Sequence, residues 1–307
     1  MFKKSVKKIF SKINLLNYKK GNRFIFVFHD ISDGDTFYHS EHYSTNIENF
    51  KAQIEVLLKS FEIISLKEIV LNEKLDSSKN FAAITFDDGF LSVKGFAHPY
   101  LTKRKIPYTL FLNGAAILYN QLWVSNLVIN KEEEYSKKLC KLSNIPFEET
   151  DTISDIIKKG TFSNDFSENY RLKKSKKVYL DKEDINLLKE EGVTFGSHSF
   201  DHFNLNSCSS EVLENQINKN KTLIDEITGD NLFFAIPFGK KEHYNQDVIT
   251  KLKKEGYPFI FSTNPNKFEV KDLNKKDFIF PRIGITNESK KELLLYINRA
   301  ILKKINI

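Results

Sequence analysis

Two short segments of the chain carry side chains able to do chemistry together. The first, Phe81-Ala-Ala-Ile-Thr-Phe-Asp-Asp-Gly89, is an apolar run ending in Asp87, Asp88 and a glycine. A strand sends successive side chains to opposite faces. Both carboxylates therefore converge on one site only if the backbone turns, and Gly89 permits a turn. The second segment, Val193-Thr-Phe-Gly-Ser-His-Ser-Phe-Asp-His202, ends in His198 and His202. Their i, i+4 spacing predicts a helical turn with both imidazoles on one face, a common grip on a metal ion. Asp88 is the natural third ligand. Two histidines and one carboxylate leave a coordination position open to water, the pattern of a catalytic site. A divalent metal there would acidify that water and polarise an acyl oxygen, and Asp87, free of the metal, would take the proton. Each segment alone has a plainer reading: the acids as a solvated turn capping a helix, the histidines as chance neighbours.

Strands and helices must bring these segments together. Apolar, β-rich runs fall at Phe24–Phe28, Phe61–Leu66, Phe81–Phe86, Tyr108–Asn113, Val193–Gly196, Leu232–Pro237, Phe259–Ser262 and Phe278–Ile283. Helical patterns lie between them, near Ile47–Ser60, Leu91–Arg104, Lys182–Glu191, Ser210–Thr228, Gln246–Glu255 and Glu288–Lys304. The alternation predicts an α/β fold with parallel strands and crossover helices. About eight strands suit a distorted (β/α) barrel, whose active site lies at the C-terminal strand ends, where the acids fall. An open doubly wound sheet is the alternative. No GxGxxG follows the first strand and no GxxxxGK[ST] loop occurs, so nucleotide binding has no support. Residues 114–180 break the rhythm and read as a helical and loop insertion or cap. It holds the sole tryptophan, Trp123, which reads as a core anchor more readily than as a sugar-stacking platform.

The bulk composition narrows the partners. At 307 residues, with 40% hydrophobic and 28% charged, the chain can bury a full core and is not of disordered type. The 27 phenylalanines and abundant Lys and Asn read as compositional bias. The net charge of +7 favours anionic partners, but the lysines are dispersed, so no nucleic-acid site is expected. Cys140 and Cys208 stand far apart, outside any metal-ligand spacing, and suit a reducing compartment. No apolar run reaches membrane-spanning length and no signal peptide is seen. A cytoplasmic location is therefore expected. Residues 1–20 form a basic segment whose apolar residues Phe2, Val6, Ile9, Phe10, Ile13 and Leu16 share one helical stripe. Such a helix either lies on the inner face of an anionic membrane or packs on the body of residues 21–307.

Thr85-Phe86-Asp87-Asp88-Gly89 and His198-Ser199-Phe200-Asp201-His202 together resemble the first two motifs of the polysaccharide deacetylase family, the NodB-homology domain. Phe234-Ala235-Ile236-Pro237-Phe238-Gly239 resembles its third. The resemblance implies a distorted (β/α) barrel and a metal-dependent hydrolase that removes an N-acetyl group from an amino sugar of a polysaccharide or lipid-linked precursor. It implies Asp87 as the base, and Asp88, His198 and His202 as ligands of a metal, usually zinc. The backbone amide of Phe238 would help hold the oxyanion. Many members carry an arginine at the position of Ala235 to orient the base; Arg282 is the candidate to replace it. The family's last motif, an apolar strand ending in His, is missing after Arg282. Phe26-Val27-Phe28-His29-Asp30 matches it instead, as in the circularly permuted poly-N-acetylglucosamine deacetylases. His29 is thus the expected acid for the leaving amine, and the carboxylates of Asp30, Asp87 and Asp88 are expected to raise its pKa. His39, His42, His98 and His243 have no assigned partner. An O-deacetylase or sugar deformylase would use the same parts. The rivals from other classes are a non-catalytic glycan-binding module and a membrane-attached factor for surface-polysaccharide assembly.

Overall fold

The computed structural model describes residues 20–32, 44–120, 177–229 and 231–302. The basic segment 1–19, the body of the 114–180 insertion, Trp123, Cys140, His39 and His42 lie outside the described residues.

The sheet grows from β5 (Phe81–Phe86) and β1 (Arg23–Phe28), all of whose residues are buried. Burial on both faces is the condition that turns a continuous apolar run into a central parallel strand. Around them stand β4 (Glu62–Ile63), β6 (Tyr108–Leu112), β7 (Thr194–Ser197), β8 (Phe233–Ala235), β9 (Phe259–Phe261), β10 (Ile279–Phe280) and β11 (Ile283–Gly284). Their order is β10-β9-β8-β7-β6-β5-β1-β11, with β4 pairing the start of β5, and the pairs are parallel. Two short strands absent from the sequence reading, β2 (Asp30–Ser32) and β3 (Ser44–Asn46), pair separately.

The last expected strand, Phe278–Ile283, is in fact two. Only Pro281 and Arg282 separate β10 from β11, yet these strands form opposite ends of the sheet. The chain leaves β9 and joins β1 within two residues, so the sheet is rolled until its two edge strands meet at that seam, where no ladder pairs them among the described residues. Phe280 still accepts a hydrogen bond from the Ser262 amide (2.9 Å), while Ile285 already donates to Val27 (2.9 Å). The fold is therefore the distorted (β/α) barrel, and the open sheet is excluded.

Helices cover the outside: α1 (Ile47–Ser60), α2 (Leu66–Leu71), α3 (His98–Lys103), α4 (Gly114–Tyr119), α5 (Lys182–Glu190), α6 (Ser210–Thr228), α7 (Gln246–Lys254), α8 (Val270–Leu273) and α9 (Lys290–Leu302). The stretch expected as one helix from Leu91 opens with a π-helical turn, Val93–Ala97, before α3. The helix α6 matters most for the site. Ser209 caps it by accepting from the Val212 amide, and Gln216 and Asn220, four residues apart, both lie buried on one face.

The phenylalanines fill the barrel. Phe111, Phe233, Phe261, Phe268 and Phe280 pack into one cluster with Ile25, Ala83 and Ala235. The Phe111–Phe261 and Phe261–Phe280 ring centroids lie 5.5 and 5.4 Å apart. Room for the Phe111 ring comes from Gly196: a Cβ there would stand 2.4 Å from it.

Candidate active site

All the site residues leave the C-terminal ends of strands. β5 delivers Asp87 and Asp88, β7 delivers His198, and the chain after β1 delivers His29. The turn that makes neighbouring carboxylates converge begins at Asp88 itself. Asp88 has φ 71° and Gly89 has φ 69°, so the left-handed bend starts one residue before the glycine that suggested it.

The histidine pair does not lie on a helical turn. After β7 the chain runs as an irregular loop in which Ser199 and His202 both have φ 61°. That double left-handed bend folds His202 back over His198, with ring centroids 4.8 Å apart. The two rings do come together, but not through the helical turn that their i, i+4 spacing predicts. Asp88, Ser199, His202 and Phe238 (φ 58°) are all non-glycine residues held in the left-handed region. Such conformations cost about 1–3 kcal/mol each and persist where the surroundings enforce them.

Asp88, His198 and His202 offer ligand atoms that all lie within 4.8 Å of one another, and all three residues are buried. Asp88 Oδ1 lies 3.6 Å from His198 Nε2 and 3.4 Å from His202 Nε2. Donors about 2.0–2.2 Å from a tetrahedral zinc stand about 3.3–3.6 Å apart. Asp88 Oδ1 is buried with no hydrogen-bond partner among the described residues. Burial first, and then the neighbouring Asp87 charge, push the Asp88 carboxyl well above its ordinary range. A cation is what would keep it ionised. His198 Nδ1 sits 2.8 Å from the Ala235 carbonyl, so it carries the proton and turns the Nε2 lone pair inward. Burial lowers the pKa of both histidines, His198 to about 4, which keeps the rings neutral as ligands must be. The three residues fit a divalent metal.

Asp87 is held differently. Arg282, fully buried at the barrel seam, meets it with two parallel hydrogen bonds, Nη1–Oδ1 and Nη2–Oδ2, both 2.7 Å. The guanidinium also donates to the Ser262 carbonyl (3.3 Å) and lies 5.1 Å above the Phe111 ring. Burial would raise the Asp87 carboxyl; the charges of Arg282, His198 and His29 outweigh it and hold it far below the ordinary range. A group so placed is ionised and can accept a proton from a neighbouring water.

His29 stands beside this pair, where the Asp87 amide donates to the Phe28 carbonyl (3.0 Å). Its pKa is lowered. Burial outweighs the upward pull of Asp87 and Asp30, and Arg282 pushes the same way as burial. The expected rise is therefore reversed, because desolvation of the charged ring is the larger effect. Asp30 itself is turned to Ser44 and Ser92, whose hydroxyls donate to its two oxygens at 2.5 Å.

Phe238 packs edge-on against His202 (4.5 Å between centroids) and at a tilt against His243 (5.2 Å), which thereby joins the site wall. His98 serves elsewhere: its ring bridges Tyr108 and Glu191, both at 2.8 Å. Residues the sequence reading missed are Asn113, Gln216 and Asn220. Gln216 exchanges two 2.8 Å hydrogen bonds with Asp201 inside the histidine loop. Asparagine and glutamine give no periodic signal, so nothing in the sequence marked them.

The family model described as polysaccharide deacetylase matches residues 74–260. The chain belongs to the polysaccharide deacetylase family. Among solved structures, the polysaccharide deacetylase fold seen here is similar to a Streptococcus pyogenes deacetylase, PplD, determined with acetate. The TM-score is 0.61 at 16% identity, covering 90% of this chain and 98% of that one. It is also similar to IcaB from Ammonifex degensii, with a TM-score of 0.58, 16% identity, and coverage of 91% and 98%. A third is a de-N-acetylase from Aggregatibacter actinomycetemcomitans, with a TM-score of 0.56, 13% identity, and coverage of 87% and 96%. No curated protein sequence matches the chain. As a polysaccharide deacetylase the chain is a hydrolase of acetyl groups. His29 and Arg282 both fall outside the matched stretch. Among the described residues no helix is long and apolar enough to cross a membrane.

Proposed function

We propose that this deacetylase is metal-dependent and hydrolyses the N-acetyl amide of an amino sugar within a polysaccharide. The observation that carries the reading is the buried Asp88–His198–His202 donor set beside an Asp87 carboxylate clamped by Arg282. A divalent metal, zinc by the donor set, would when bound acidify a water and polarise the acyl oxygen.

The rest falls to the chain's own side chains. Asp87 accepts the proton of the attacking water, and Arg282 keeps it ionised and aimed. The amide of Phe238, held out by a left-handed backbone, donates to the developing oxyanion. His29 protonates the departing nitrogen, a step an amide needs because an amide anion is a very poor leaving group. The likeness to a de-N-acetylase accords with this reading.

Asp87→Asn tests it. The variant retains metal and loses turnover by about a hundredfold or more, the scale of general-base removal. Near-normal turnover in that variant would assign Asp87 a structural role and defeat the proposal.

A further inference from the structure

The histidine loop bends twice against its backbone preference, so something must enforce its shape. Two asparagines do so. Asn113, the first residue after β6, donates from Nδ2 to the carbonyls of both His198 and Ser199, the latter at 2.9 Å. Asn220 on α6 holds the residues on either side of Asn113. Its Nδ2 donates to the Leu112 carbonyl (3.0 Å), and its Oδ1 accepts from the Gly114 amide (2.6 Å). The same Nδ2 reaches the hydroxyl of Ser197, the residue before His198, at 2.6 Å. Both asparagines have no solvent exposure. Asn113 Oδ1 is buried with no hydrogen-bond partner among the described residues, which costs stability. The amide is thus retained for its donating end, the end on the histidine loop. Gly114 completes the seat: a Cβ there would stand 2.4 Å from the Phe200 ring.

We propose that Asn113 and Asn220 are positioning residues that set the spacing of His198 and His202, and through it the metal affinity of the site. The inference rests on the metal-dependent reading above. Neither side chain is one of the three donors: Asn113 acts through the backbone of His198 and Ser199, and Asn220 through the residues that flank Asn113 and the hydroxyl of Ser197. Partners one shell out from a ligand change metal affinity or activity by about ten- to hundredfold when removed.

The test is the zinc dissociation constant of full-length Asn113→Ala, Asn113→Asp and Asn220→Ala, measured by competition with a chromogenic chelator. The absorption spectrum of the cobalt-substituted proteins is recorded alongside. All three should bind zinc about ten- to hundredfold more weakly, with a changed cobalt band. Asn113→Asp is the sharpest of them. Its added negative charge would by attraction alone tighten a cation, whereas its oxygen facing two carbonyls would loosen the loop. It also carries the test should alanine at that buried position prevent folding. Zinc affinity and cobalt band both unchanged in Asn113→Asp and Asn220→Ala would overturn the proposal, provided the parent binds metal and His198→Ala does not. A parent that binds no metal would instead defeat the metal-dependent reading, and this inference with it.

Discussion

Arg282 and Asp87 stand 195 positions apart in the chain and meet as a two-pronged pair, each oxygen of the carboxylate 2.7 Å from its own guanidinium nitrogen. The arginine stands where the chain switches from one edge of the sheet to the other. The seam of the barrel and the clamp on the Asp87 carboxylate therefore share one residue. Ala235, where the family resemblance implies an arginine, contributes instead a carbonyl that fixes His198.

Removal of the arginine should expose both sides of this arrangement. Asp87 has its carboxyl depressed by the pair, so the stability it contributes is full above its ordinary value of 3.8 and fades as pH falls below it. Arg282→Ala leaves that carboxylate buried and unpaired, which costs about 3–5 kcal/mol. Burial then raises its pKa, and the acid limb of the pH–rate profile moves to higher pH. Arg282→Lys should restore charge but not the two-pronged aim, and recover only part of the rate. An acid limb unmoved in Arg282→Ala would contradict the pairing as the cause.

The role of His29 is read from two substrates. His29→Ala should keep its metal and lose turnover on N-acetyl sugars, while an activated aryl acetate, whose leaving group needs no proton, suffers far less. Because burial lowers the His29 pKa, the neutral ring dominates at neutral pH. The ratio of amide to aryl-ester rates in the parent should thus rise as pH falls toward that pKa, and be flat in His29→Ala. Equal losses on both substrates would remove His29 as the acid and turn attention to His243, which shares the Phe238 wall.

Much of this site was legible in the sequence, and the limits have physical reasons. Asp87, Asp88, His198 and His202 were marked because each pair closes an apolar run, and strand ends are where a barrel does chemistry. Arg282 was reachable for the same reason. The turn at Asp88 and the double bend of the histidine loop were not, because non-glycine left-handed residues are enforced from outside the segment. Asn113 reaches the histidine loop across 85 positions and Asn220 holds Gly114 across 106, so neither leaves a local pattern. The short strands β2 and β3 escaped because three residues carry no periodicity. The phenylalanines gained a purpose only when the sheet closed around them.

That filled interior makes its own prediction. Gly196→Ala places a methyl 2.4 Å from the Phe111 ring and 3.2 Å from Phe233 Cβ. Overpacking of this kind costs about 1–3 kcal/mol. Since Phe111 underlies the Arg282 guanidinium, turnover should fall along with stability. Urea unfolding and steady-state rates on the same preparation check both; an unchanged midpoint would mean that the ring moves aside freely.

The three proposed metal ligands can be tested singly. Asp88→Ala, His198→Ala and His202→Ala should each lower bound zinc sharply, since a three-donor site missing one donor is incomplete. Circular dichroism should still report a folded barrel. Unchanged metal content in all three would defeat the assignment.

The most direct measurement is acetate release, matched to new free amine, from N-acetylglucosamine oligomers by the purified full-length chain before chelation, after chelation and after zinc is returned. Acetate and amine should appear in equal amounts, vanish with the chelator and return with zinc. Release that persists through complete chelation, or a zinc-loaded protein that frees no acetate from any N-acetylated oligomer, would contradict a metal-dependent N-deacetylase.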